Sequence, residues 1–301
     1  MISVIIPTHK RADLLFFELD RIFNQKKVDI EVVVVNDIEE EDETDRIVEL
    51  YPSVKYIKSA HIQGPSEKHK KGFAITTGDY VYMPDDDDYL IDDLFFYKAV
   101  QILEKDSSLS LVSGNVNISY ENELHEVVST VHQELNFSGR VSGLEYLQEF
   151  QNKYKKPAST VSTIFRRKSL DGNMIEMSDS SIYMQALFGG DIYFLDDIVA
   201  VYRVRKVRGQ SLTSSASIPF ILNVLKQKET FYFRAINVLP RPKSFWAYHF
   251  IATYSLLANK PKCKDDKYKL IKWGFSHSHC SWRLLFFLFM QTIRVGLSNA
   301  K

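Results

Sequence analysis

Residues 78–90 read Gly-Asp-Tyr-Val-Tyr-Met-Pro-Asp-Asp-Asp-Asp-Tyr-Leu, an apolar run from Tyr80 to Met83 followed by four consecutive aspartates, Asp85 to Asp88. Like charges crowded into one segment repel one another and resist burial. The segment is therefore either a solvated acidic loop or a place where a cation sits. The choice depends on what the apolar run is part of.

Upstream, three more runs of the same kind occur at Ile2–Pro7, Ile30–Val35 and Val54–Ile57. Between them, Ala12–Phe23, Asp45–Tyr51 and Glu67–Thr76 carry apolar residues at helical spacing. Strands that are apolar on both sides and alternate with helices predict a parallel sheet covered on both faces. Such sheets bind ligands beyond the carboxyl ends of their strands. Those ends are Thr8-His9-Lys10-Arg11, Asn36-Asp37 and Asp85 to Asp88, so polar residues collect on one rim. A position on that rim favours the cation, because closely spaced carboxylates on a tight loop suit a hard divalent ion, Mg²⁺ or Mn²⁺, with positions open to substrate phosphates.

Downstream, the spacing predicts strands at 110–119, 160–166 and 192–204 and helices at 143–150 and 179–188. After Pro219 the chain reads as wholly helical, with helices at 219–237, 244–258, 267–275 and 282–297. The expected fold class is α/β with a C-terminal helical appendage, divided into 1–215 and 216–301.

The ordered segments Ser3-Val4-Ile5-Ile6-Pro7-Thr8, Val33-Val34-Val35-Asn36-Asp37 and Gly78 to Asp88 resemble the signature of family 2 glycosyltransferases with the GT-A fold, over roughly residues 1–210. The resemblance implies a nucleotide-binding half at 1–105 and an acceptor half at 106–215. It implies that Thr8, Arg11 and Asp37 contact the nucleotide base, and that Asp85-Asp86-Asp87 is the Asp-x-Asp region. Asp87 would be a direct metal ligand, with Asp85 and Asp86 on the ribose or the metal. Two departures stand out. Asn36-Asp37-Ile38-Glu39 replaces the usual Asp-Asp-Gly-Ser, and Lys68-His69-Lys70 replaces Ala-Arg-Asn. His69 thus stands where the family has a diphosphate-binding arginine; the alternative for Glu67 to Lys71 is an exposed basic helix face.

Glycosyl transfer needs stabilisation of the leaving diphosphate and a base for the acceptor hydroxyl. The family's base lies in a Glu-Asp pair at the place of Glu176-Met177-Ser178-Asp179, which makes Asp179 the candidate; Ser178 and Asp179 would equally serve as helix N-caps. The strand ending Tyr202-Arg203-Val204-Arg205 is similar to the family's Tyr-Arg strand, and Arg203, Arg205 and Arg208 either hold phosphates or decorate a strand. Thr160 to Phe165 resembles the acceptor-pocket segment and reads equally as a core strand. The implied reaction is inverting transfer from a nucleoside diphosphate sugar, UDP-linked, to a glycan or polyprenyl-diphosphate-linked acceptor in surface polysaccharide assembly. The competing activities are a sugar-nucleotide nucleotidyltransferase and a non-catalytic nucleotide-sugar-binding module. The first usually has a glycine-rich loop after its first strand, and Pro7 to Asp13 contains no glycine.

Composition adds bounds. Of 301 residues, 45% are hydrophobic and 25% charged, which describes a soluble globular chain. Lys plus Arg and Asp plus Glu are both 38, which gives no argument for a nucleic-acid partner. The charges are nonetheless segregated: Arg241–Lys301 holds eleven basic and two acidic residues, net +9, leaving −9 on the rest. Within that segment Leu284–Met290 is apolar but far short of the ~20 residues that span a bilayer. Trp282, Leu285, Phe286, Phe289, Ile293 and Leu297 share one helical face. Such a helix either lies on an anionic membrane surface or packs against protein, in the same chain or in a second subunit of an oligomer. Two cysteines, Cys263 and Cys280, make no disulfide framework, and Met1–Pro7 is unlike a signal peptide. The expected location is the cytoplasm, peripheral to the membrane. The glycosylation-like triplets at Asn117 and Asn136 are then coincidental, and Cys263, His277, His279 and Cys280 fit no strong zinc pattern.

Overall fold

The computed structural model describes residues 1–37, 43–59, 64–122, 126–133, 135–150, 152–171, 179–205, 217–258 and 264–297. The chain forms two compact units, Met1–Lys206 and Val207–Lys301. Both this division and the sequence boundary at 215 fall in a stretch outside the described residues.

The first unit runs β1 (Ile2–Thr8), α1 (Ala12–Phe23), β2 (Ile30–Asp37), α2 (Thr44–Glu49), β3 (Lys55–Ser59), α3 (Pro65–Ile75), β4 (Tyr80–Tyr82), β5 (Tyr89–Leu90) and α4 (Phe95–Lys105). It continues with β6 (Leu109–Glu121), β7 (Val127–Gln133), β8 (Gly139–Val141), α5 (Gly143–Gln148), β9 (Thr163–Arg166), α6 (Asp179–Leu187) and β10 (Asp191–Arg205). One sheet has the order β3-β2-β1-β4-β9-β6-β10-β5, with β7 beside β6 and β8 beside β10. The β3-β2-β1-β4 half is parallel. Beyond it, β9 runs antiparallel to β4 and β6, and β10 returns parallel to β6.

Every residue of β1 is buried, as is Val32 to Asp37 of β2, because helices cover both faces of the sheet. Leu15, Leu19 and Ile22 of α1 and Phe95, Phe96, Ala99 and Leu103 of α4 supply the apolar stripes that pack there. Helix α3 sits close on β1 because residue 72 is glycine: a Cβ there would overlap Ile5 Cγ2. The turn leading into β4 is tied down by Glu31, which accepts from the Thr77 amide at 2.5 Å, the Gly78 amide at 2.9 Å, the Ser3 hydroxyl at 2.8 Å and Lys55 at 3.1 Å. Partial burial raises the Glu31 pKa, but these bonds outweigh it and hold the carboxyl down to about 2.

Helix α4 and strands β5, β7 and β8 are additional to the elements expected from sequence. The strand expected at 160–166 begins only at Thr163. Residues 160–162 instead form a 3₁₀ turn, because Thr160 Oγ1 donates to the Met83 carbonyl at 2.5 Å and the Ser159 side chain accepts from the Val161 amide.

The second unit contains α7 (Ile218–Ala235), α8 (Pro242–Ala258), α9 (Lys264–Ser276) and α10 (Trp282–Leu297). Its core holds Ile221, Leu225, Trp246, Phe250, Leu270, Leu284 and Leu288. Trp246 Nε1 donates to the His277 carbonyl at 2.7 Å, and the His277 ring stacks on Trp273. His279 Nε2 lies 2.6 Å from Glu229. Both histidines thus have partners other than a metal, Cys280 is exposed, and Cys263 is outside the described residues. Among the described residues, no helix is long and apolar enough to cross a membrane.

Candidate active site

Since β1, β2 and β4 are parallel, their carboxyl ends deliver Thr8, Asp37 and the aspartate run to one rim. Asp85 to Asp88 form a turn closed by the Asp88 amide on the Asp85 carbonyl at 3.4 Å. The four side chains divide into two pairs. Asp86 and Asp88 are buried, at 5% and 1% exposure, whereas Asp85 and Asp87 are half-buried.

The inward pair is fully occupied. Asp86 accepts from Thr8 Oγ1 at 2.7 Å and Arg11 Nη1 at 2.8 Å. Asp88 accepts from the Arg203 backbone amide at 2.9 Å and Ser159 Oγ at 2.8 Å, which latches the loop to β10 and to the 3₁₀ turn. Oxygens of Asp85, Asp87 and Asp88 lie within 4.8 Å of one another. With both Asp88 oxygens committed, Asp85 and Asp87 are the carboxylates presented to a ligand. Burial first, and then neighbouring carboxylates, push Asp85 and Asp88 well above the usual range. Arg11 supplies one compensating cation, reaching Asp87 at 3.1 Å as well as Asp86. An all-oxygen donor set whose negative charge a single arginine only partly offsets fits Mg²⁺ or Mn²⁺. Arg11 is therefore placed on the aspartates.

At the β2 end, Asp37 is buried, and Lys68 from α3 forms an ion pair with its Oδ2 at 2.7 Å. Lys68 also donates to the Thr8 carbonyl at 2.7 Å, so one side chain joins the ends of two strands. Asp37 Oδ1 is buried without a hydrogen-bond partner among the described residues. The exposed-face alternative for 67–71 describes Glu67 but fails for Lys68 and His69, both of which are buried. Burial pushes His69 down to about 4, so it is a neutral imidazole and brings no positive charge to a diphosphate.

Asp179 opens α6, and its Oδ2 lies 3.3 Å from Lys156 Nζ. Its charge acts directly on Asp85 and His69, so the fold brings this residue beside the aspartate loop. Glu176, Met177 and Ser178 are outside the described residues. Arg203 does not extend a free guanidinium toward phosphate. It pairs with Glu121 at 3.3 Å and lies over the rings of Tyr89 and Phe17. The side chain of Arg205 and all of Arg208 are outside the described residues.

Four further residues shape the site without being anticipated from sequence: Lys68, Lys156, Ser159 and Glu18. Glu18 lies in the apolar stripe of α1, 1% exposed, with neither carboxylate oxygen bonded among the described residues. Burial, followed by the charges of Asp86 and Asp88, raises its pKa well above normal. A glutamate between Leu15 and Leu19 was the available signal, since an acid on a buried face needs a reason.

The chain matches the sequence profile described as "Glycosyl transferase family 2" over residues 3–173. It is 24% identical over 227 residues to the GalNAc(5)-diNAcBac-PP-undecaprenol beta-1,3-glucosyltransferase of Campylobacter jejuni, covering 72% of this chain and 68% of that protein. Among solved structures, S. aureus TarS residues 1–349 in complex with UDP-GlcNAc superimposes with a TM-score of 0.67 at 19% identity, covering 90% of this chain and 80% of that one. Mannosyltransferase PcManGT from Pyrobaculum calidifontis, in complex with GDP-Man and Mn²⁺, gives 0.51 at 18% identity, covering 99% and 86%.

Proposed function

The chain belongs to glycosyl transferase family 2 and has the GT-A fold, and from that premise we propose an inverting, metal-dependent enzyme that moves a sugar from a UDP-linked donor to a hydroxyl of a lipid-linked glycan. The observation that carries the proposal is the rim itself, where half-buried Asp85 and Asp87 share the carboxyl edge of the sheet with Asp37 and lie beside the base candidate Asp179. Asp37 Oδ1, buried and without a partner among the described residues, suits a ligand N–H such as the imide of uracil, while Lys68 holds the other oxygen. A TarS structure with UDP-GlcNAc is consistent with a uridine donor. The Campylobacter relative is named for an undecaprenol-diphosphate-linked acceptor, which supports a lipid-linked glycan here. On this reading the reaction takes place at the inner face of the cytoplasmic membrane, in surface polysaccharide assembly.

Asp85 and Asp87 would hold the divalent ion, which when bound neutralises charge on the leaving diphosphate. Asp179 takes the proton of the acceptor hydroxyl as its oxygen attacks the anomeric carbon. The new C–O bond forms as the bond to the diphosphate breaks, and the electron pair leaves with the β-phosphate. Lys156 Nζ, 3.3 Å from Asp179 Oδ2, orients that carboxylate. Direct displacement inverts the anomeric centre and needs no carboxylate nucleophile.

The test is a panel of UDP-, GDP- and dTDP-sugars, screened by thermal shift with and without Mn²⁺ and then by transfer to polyprenyl-diphosphate-linked glycans, with the product anomer read by NMR. The expected result is stabilisation by a UDP-sugar that depends on Mn²⁺, and a product of opposite anomeric configuration to the donor. Stabilisation by GDP-sugars alone would refute the uridine assignment, and a retained configuration would refute direct displacement by the acceptor.

A further inference from the structure

Helix α10 is apolar on two opposite faces. Leu284, Leu288 and Val295 are buried in the core of the helical unit. On the other side, Trp282 is 83% exposed, Phe286 68%, Phe289 58%, Ile293 39% and Met290 36%. At about 100° per residue these five fall within an arc of about 100°, centred opposite the buried face. Exposure of this much aromatic surface on one stripe marks an interaction site. A further exposed aromatic lies in the same unit. The ring of His279, just before α10, meets that of Phe233 at the end of α7, and Phe233 is itself 53% exposed.

The surrounding charge selects the occupant. Arg283 and Arg294 on α10 and Lys272 on α9 are exposed, and residues 267–301 contain six Lys plus Arg and no Asp or Glu. A second copy docking through the same stripe would set these cations against themselves. A bilayer containing anionic lipid offers negative headgroups above an apolar layer, and so matches both the charge and the aromatic stripe. We propose that the stripe Trp282–Phe286–Phe289–Ile293 is an interfacial anchor that seats the helical unit on an anionic membrane surface. Trp282 and the phenylalanines enter the headgroup boundary while the basic residues hold lipid phosphates. The proposal does not rest on glycosyl transfer, because binding is read without donor or acceptor.

The experiment is co-sedimentation of the full chain with phosphatidylcholine vesicles containing or lacking phosphatidylserine, at low and high salt, beside melting curves and sedimentation velocity without lipid. Two variants are compared with wild type: Phe286→Asp/Phe289→Asp and Arg283→Glu/Arg294→Glu. The expected result is binding to the anionic vesicles that falls at least tenfold in each variant and several-fold at high salt. Because the substituted side chains are exposed, melting temperatures should stay close to wild type. Wild-type protein that never sediments with anionic vesicles overturns the proposal. Equal binding by the aromatic variant does so too, since the stripe would not be the contact. A marked loss of melting temperature in that variant shows that the stripe packs on protein. A dimer that the aromatic variant dissolves, with no vesicle binding by wild type, assigns the face to a second copy.

Discussion

Asp88 gives the sharpest test of how the aspartate run divides its work. By proximity alone it belongs with Asp85 and Asp87 in a three-carboxylate cation site. By hydrogen bonding it is a latch, with both oxygens holding buried donors, the Arg203 amide at 2.9 Å and the Ser159 hydroxyl at 2.8 Å. Asp88→Ala strands both donors. At about 1–3 kcal/mol for each unsatisfied buried group, and with a hydroxyl that can turn toward another acceptor, the loss should be about 3–4 kcal/mol. For a unit of this size that lowers the melting temperature by about 6–15 °C. Asp88→Asn is the decisive partner variant. Its amide oxygen can accept from Arg203 and its amide nitrogen can donate to Ser159 Oγ, so the latch survives while one negative charge is removed from beside Asp85 and Asp87. Stability should stay within about 1 kcal/mol of wild type. Mn²⁺-supported UDP binding, titrated by calorimetry, should change less than threefold in Asp88→Asn and be lost in Asp87→Asn. An Asp88→Asn protein that melts like wild type but loses Mn²⁺-supported binding would make Asp88 a metal ligand and the latch assignment wrong.

Asp179→Asn keeps size and polarity but removes basicity, so turnover should fall by about 10²-fold or more while donor affinity persists; normal turnover leaves Asp179 structural. Lys68→Met leaves Asp37 buried and unpaired, which should destabilise by about 3–5 kcal/mol and weaken UDP binding, with chemical denaturation and calorimetry as the readouts. Glu31→Gln probes linkage: a carboxyl held at about 2 against an ordinary 4.5 adds stability above pH 4.5 that is lost as pH falls through 2. The variant should therefore melt lower at pH 7, by the equivalent of about 3 kcal/mol, with the gap closing toward pH 2; a gap that is constant with pH shows that Glu31 acts through shape alone.

The readable part of the fold is the part where burial acts on both faces of a strand. β1, β2 and β4 stand out in the sequence because helices exclude water from both sides, so apolar residues run without alternation. Strand β7 lacks any such signature. Its Val127, Val128 and Val131 are all exposed, and it exists through pairing with β6. Strands β5 and β8 are two and three residues long and are likewise set by their neighbours on β10. Helix α4 is a different case, since Phe95, Phe96, Ala99 and Leu103 lie at helical spacing and were legible. In the site, the aspartate run could be read because a charge run beside an apolar strand is anomalous. Two of the cations could not. Lys68 and Lys156 look like ordinary solvated lysines, and only tertiary contact shows one buried on Asp37 and the other against Asp179.

The same distinction explains how one loop tolerates four aspartates. No single compensation covers them, because their surroundings differ residue by residue. Asp86 is answered by Thr8 and Arg11 at the end of β1, and Asp88 by a serine and a backbone amide from distant segments. These inward bonds fix the turn, and fixing it holds Asp85 and Asp87 together on the open side despite their repulsion. Proximity of like charges is the property a cation site requires, and in the free protein it works against stability. The inward pair is thus the structural condition for the outward pair. The spacing of one residue between Asp85 and Asp87 acquires its chemical meaning because the residues at 86 and 88 are pinned inward.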